Sequence, residues 1–92
     1  MKSPTNPYRQ AQRFADLTKR LLLTGQQARA LRCLRIAEAL FRKGDARIRN
    51  AIANVYVYSV TPVMEMQHRH VGQLLPANLR REYYHQITAS GI

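Results

Sequence analysis

The sequence predicts an all-α fold of four to five antiparallel helices, arranged as a small bundle or a helical-repeat-like array. Three observations predict it. Apolar residues recur every three or four positions along most of the chain, the pattern of helices that each bury one face. The four glycines and four prolines fall where such helices would end. The only strand-like run, Val55–Val60, has no second strand candidate with which to pair.

Each element has its own signals. Asn6-Pro7 is an N-cap followed by proline at the first helical position, where its missing N–H costs nothing. Tyr8, Ala11, Phe14, Ala15, Leu17, Thr18, Leu21 and Leu22 then recur at helical spacing to Gly25, which offers a left-handed stop. A second helix is predicted from about Gln26 to Lys43, ending at Gly44. Its apolar arc holds Ala30, Cys33, Leu34, Ala37, Leu40 and Phe41. Asp45 caps a third helix that buries Ile48, Ala51, Ile52 and Val55 and carries the β-branched, aromatic run to Val60 as its buried end. Thr61-Pro62 restarts or kinks the chain, and Val63, Met66, His70 and Leu74 are spaced for a fourth helix that Gly72 weakens. Leu75-Pro76 opens a fifth, with Leu79, Tyr83 and Ile87 on one face and Gly91 as its stop. The helices do not match one another position by position, so no true repeat is supported.

The chain has 92 residues, which suits one domain, with about 1–5 expected to be a short disordered N-terminal segment. Fifteen Lys+Arg against five Asp+Glu leave a net charge of +10. Hydrophobic residues are 46%, too many for a disordered basic tail, so a packed domain is expected. A single cysteine rules out an internal disulfide and a cysteine zinc site. The polar, proline-broken start lacks the apolar stretch of a secretion signal, and no apolar run approaches the ~20 residues of a membrane span. A cytoplasmic protein is expected.

From Phe14 onward several segments together resemble a family of small, uncharacterised bacterial helical proteins, a domain of unknown function. They are Phe14-Ala15-Asp16-Leu17-Thr18, Ile36-Ala37-Glu38-Ala39-Leu40, Asn54-Val55-Tyr56-Val57-Tyr58-Ser59-Val60, Leu74-Leu75-Pro76 and Ala89-Ser90-Gly91. The resemblance covers about residues 14–91 and is most specific at Asn54–Ser59. It implies an all-helical fold and no activity. The strong basic balance departs from that family's pattern, so arguments from charge concern this chain alone.

Few residues suggest chemistry. His68 and His70 lie two apart, about 200° around a helix, so they cannot share a metal there, and His85 is distant in sequence. Glu65 and Glu82 are the nearest carboxylates and have ordinary helical roles. Cys33 sits on an apolar arc, as a buried inert thiol does. With no phosphate-cradling loop, nucleophile elbow or paired carboxylates, no enzymatic activity, cofactor or metal is expected.

Two surfaces remain. Twelve arginines and three lysines favour phosphate or carboxylate partners. Arg29, Arg32, Arg35, Arg42 and Lys43, continued by Arg47 and Arg49, form a candidate basic patch. With Asn50 and Asn54 it makes nucleic-acid binding the alternative reading. The favoured reading is a protein-interaction module that binds a protein partner or a second copy. Its candidate interface residues are Met64 and Tyr84, because the tyrosine and methionine content exceeds what so small a core hides. The expected core is Phe14, Leu17, Leu21, Leu34, Ala37, Leu40, Phe41, Ile48, Ile52 and Val55. On that reading Leu40→Ala should cost roughly 2–4 kcal/mol in a denaturant melt.

Overall fold

The computed structural model describes residues 6–67 and 70–90. The expectations for the N-terminal segment, for His68 and for the Gly91 stop lie outside the described residues.

Helix α1, Pro7–Leu23, begins as its sequence requires, with the Asn6 side chain accepting from the Tyr8 N–H at 2.9 Å. It ends in a Schellman turn. Gly25 takes φ +78°, its N–H donates to Leu22, and the Gln26 N–H reaches back to Leu21. Helix α2, Gln27–Lys43, folds back against α1. Their contact buries Ala15, Ala30 and Ala37 completely. Gly44 then admits a close approach, because a Cβ there would meet Ile48 and the Leu40 carbonyl within 2.5–2.7 Å. Asp45 caps the next helix by accepting from the Ile48 N–H at 3.1 Å.

That next helix, α3, spans 46–66 without a break and is the centre of the molecule. It runs as α-helix through Ala46–Ala51, widens into a π turn over Ile52–Val57 and resumes as α-helix through Tyr58–Met66. The strand-like run is therefore helical, and all other major helices pack on it. Ile52, Ala53, Tyr56, Val57, Val60, Thr61 and Met64 are all buried. Of the two expectations at Thr61-Pro62, a restart or a kink, the restart is corrected: Pro62 sits inside the helix. The carbonyl that loses its donor to the proline belongs to Tyr58. Tyr58 is 67% exposed and Pro62 is exposed too, so water can take that bond. The expected helix over 63–74 is corrected as well. Val63–Met66 complete α3, the chain turns at Gln67, whose amide donates to the Leu22 carbonyl, and Val71–Leu74 forms a separate short helix, α4.

Helix α5, Ala77–Ser90, follows Pro76, which has no side-chain acceptor to cap it. The cap comes from α2. The Glu38 carboxylate accepts from the Asn78 N–H (3.1 and 3.2 Å), the Leu79 N–H (3.1 Å) and the Asn78 side-chain amide (2.8 Å). One side chain thus satisfies the orphan donors of a helix about forty residues away and pins α5 to α2. At its other end Gln86 donates to the Ala53 carbonyl in the π turn at 2.7 Å.

Most of the expected core is in place. Leu21, Leu34, Ala37, Phe41 and Ile52 are buried, and Phe14, Ile48 and Val55 pack against them partly covered. Leu17 and Leu40 are corrections, at 42% and 44% exposed. The molecule is only 20 Å through its thinnest dimension, about two helix diameters. Helices in so thin a slab keep part of their apolar arc at the surface. The cost expected of Leu40→Ala therefore falls to below about 1 kcal/mol in urea denaturation. Leu34→Ala, at a fully covered site, should cost about 2–5 kcal/mol. Glu38→Ala should cost about 1–3 kcal/mol by removing a charged cap. It should also release α5 first, as faster amide exchange at Asn78 and Leu79.

Candidate functional site

The sequence-derived site residues scatter when placed in the fold. Met64 is fully buried and is no surface residue: it lies on the inner side of α3, where the π turn shifts the register of the side chains that follow. Tyr84 is half exposed, yet its ring packs against Tyr83 at 5.5 Å and its hydroxyl lies over Gly72, where a Cβ would not fit. The glycine that weakens a helix in the sequence is thus the seat of a tyrosine. Cys33 is buried at 7% exposure on the inner face of α2. His70 and His85 are exposed. Among the described residues no group of three or more His, Cys, Asp or Glu side chains could hold a metal ion.

The seven candidate cations are all exposed but do not form one edge. At ~100° per residue, Arg29, Arg32 and Lys43 share a stripe of α2 about 60° wide, and Arg35 and Arg42 lie some 60–140° away from it. Arg35 borders a groove with Leu31, Gln73, Leu74 and Pro76 on the α4 side. Arg49 lies over the Phe41 ring at 5.3 Å, in a groove that also holds Asn50 and Glu82. Arg47 sits one turn before Ala51 on α3.

The feature that the sequence did not reveal is an apolar cleft. It has a volume of about 440 Å³ and lies between the first half of α1, the second half of α2 and the start of α3. Pro7, Ala11 and Phe14 form one wall, Ile36 and Leu40 the facing one, and Ile48, Ala51 and Ile52 the floor, with Gln10 and Arg13 the only polar lining. Ile36 and Leu40, one turn apart, are 46% and 44% exposed at its lip. Their stripe on α2 is the stripe of Arg32 and Lys43, so a cation stands beyond each end of the apolar pair. No acidic residue lines the cleft.

Internal bonding occupies most of the carboxylates. Glu38 and Asp45 cap helices, and Glu65 accepts a short hydrogen bond from the Tyr83 hydroxyl. Asp16 accepts from the Gln12 amide and pairs with Lys19 at 3.3 Å, the only ion pair among the described residues. The Gln12 bond, with the Lys19 contact, holds the Asp16 carboxyl below its ordinary range. The positive surface therefore stands almost uncompensated.

A family model matches residues 2–89, nearly the whole chain. The chain belongs to DUF7674, a domain of unknown function. Neither the curated proteins nor the solved structures yield a match. Membership in DUF7674 agrees with the all-helical architecture and assigns no activity, so the cleft and its border carry the functional argument. No helix among the described residues is long and apolar enough to cross a membrane.

The buried tyrosines couple this fold to pH. Burial, reinforced by Glu65, pushes the Tyr83 hydroxyl from about 10 up to about 12. Burial also raises Tyr56. A phenol that ionises later in the folded state contributes stability fully present below its unfolded value and lost as pH rises through the folded one. Urea midpoints should accordingly fall between pH 10 and 12, and Tyr83→Phe should flatten that fall.

Proposed function

We propose that this protein is a non-enzymatic protein-interaction module whose docking site is the apolar cleft and whose partner is an acidic protein. The observation that carries the reading is the pairing of half-exposed Ile36 and Leu40 at the lip of the cleft with cations beyond both ends. Exposed aliphatic residues at the edge of a concave apolar surface are where interfaces form. The net charge of +10 selects the sign of the partner, and it opposes a second copy at the same site, since both copies would bring cations to the border. A non-enzymatic role is supported by Cys33 facing the core and by Glu38, Asp45 and Glu65 being committed to internal hydrogen bonds.

An anionic naphthalene dye tests the site directly, because it joins an apolar ring system to a negative sulfonate. One dye should bind per chain with enhanced fluorescence, and Ile36→Ser with Leu40→Ser should remove most of it while leaving the helical spectrum intact. Duplex DNA should neither displace the dye nor bind with a steep salt dependence. DNA binding that weakens with a log–log slope near −4 in salt, and that survives those two substitutions, would favour the nucleic-acid reading instead. The exposed Arg47, Asn50 and Asn54 would then be the residues to change.

A further inference from the structure

Resting on the reading of the cleft as a protein-docking site, we infer that its occupant is an amphipathic acidic helix of two to three turns. The segment presents apolar side chains at i, i+3 or i+4, and i+7, flanked by Asp or Glu.

The shape of the cleft selects a helix over other peptide conformations. An extended peptide docks by adding to a sheet edge, and the described residues contain no strand to offer one. A polyproline segment needs a groove lined by aromatic rings, whereas Phe14 is the only ring in this lining. A lining drawn entirely from the helices α1, α2 and α3 instead presents ridges and grooves into which another helix packs at about 8–10 Å. The size agrees. A cavity of about 150 Å³ holds one benzene, so 440 Å³ takes roughly three anchors of that size. Three anchors are what one face of an amphipathic helix supplies over about two turns. The α1 wall, Pro7 to Phe14, is itself two turns long, about 10 Å at 1.5 Å per residue.

The charge follows from the border. Arg13 stands in the lining, with Arg9 one turn before it on α1. Arg32 and Lys43 extend the Ile36–Leu40 stripe in both directions, and Arg47 precedes Ala51 by one turn. Arg13 lines an apolar slot without a carboxylate in its lining, and the other four cations lie within one helical turn of lining residues, so a helix seated there meets positive charge along its flanks. A basic or neutral helix would bury the same apolar area and leave the cations unpaired. Acidic flanks also gain electrostatic steering towards a surface of net charge +10.

The test is a titration of the intact protein with labelled peptides of about sixteen residues, long enough to sample helix in isolation. One carries Leu at i, i+4 and i+7 with Glu around them. The second has Gln in place of every Glu, and the third scrambles the first so that its composition is kept and its apolar face is lost. Heparin serves as a polyanion without apolar groups. The acidic amphipathic peptide should bind and gain helical circular dichroism on mixing. It should bind at least about tenfold more tightly than the scrambled peptide. Leu40→Ser should weaken it about tenfold, and Arg32→Gln with Lys43→Gln severalfold, flattening the salt dependence. All three positions are exposed, and an unchanged thermal midpoint shows that the variants fold. Equal binding of the Gln peptide, sensitive to Leu40→Ser, overturns the acidic helix and leaves the cleft as a docking site. Equal binding of the scrambled peptide and displacement by heparin, insensitive to Leu40→Ser, overturn both. Binding of none of the three peptides overturns both as well.

Discussion

Burial of the middle of α3 is the constraint on which the other elements depend. From Ile52 to Met64 this helix buries one broad face, made of Ile52, Ala53, Tyr56, Val57, Val60, Thr61 and Met64, while Asn54, Tyr58 and Pro62 stay exposed, so α1, α2 and α5 each bring apolar side chains to that face. Such burial is tolerable only if the polar atoms on α3 are bonded internally. Tyr56, with no exposed surface, meets that condition through Thr18 at 2.7 Å. The Thr18 hydroxyl donates to the Phe14 carbonyl, so the phenol is the donor to Thr18. Thr61 returns its own proton to Val57, and the described residues contain no buried side-chain nitrogen or oxygen without a partner. A centre whose buried polar side chains are bonded internally compensates for the small size of the core.

The same frame explains how three of the five acidic residues are used. A chain with three cations for each carboxylate could spend its acids on surface ion pairs, which are worth little. Here Glu38 and Asp45 cap helix N-termini and Glu65 takes a buried phenol's proton donor, each at a junction between elements or at a helix start. The cations are consequently left to the solvent and to whatever binds there. The fold and the surface thus divide most of the charges: Glu38, Asp45 and Glu65 hold the helices in place, and the bases set the electrostatic field outside.

Thinness gives the cleft its character. Two layers of helices in 20 Å cannot enclose every apolar arc, and Leu17, Ile36 and Leu40 are among the residues left partly uncovered. The cleft is where that deficit is concave and bordered by cations. Tyr58 and Met66, more exposed still, are not part of it.

The sequence by itself determined the helical class and most of the helix ends, because caps and stops are local chemistry. Asn6, Asp45 and Gly25 each act through atoms within five residues, so their roles are legible without a fold. Family membership was legible in the same way, through segments such as Asn54–Ser59. Tertiary structure alone decided what happens beyond that range. Periodicity placed Leu40 and Leu34 on one arc, and only the thickness of the molecule separated the exposed residue from the buried one. A proline read as a restart or a kink lies inside a continuous helix, on its exposed side with Tyr58. Met64 moved from candidate surface to core because a π turn changed the register ahead of it. Glu38 was invisible as a cap because its partner helix begins about forty residues away, and the cleft because three separate helices line it.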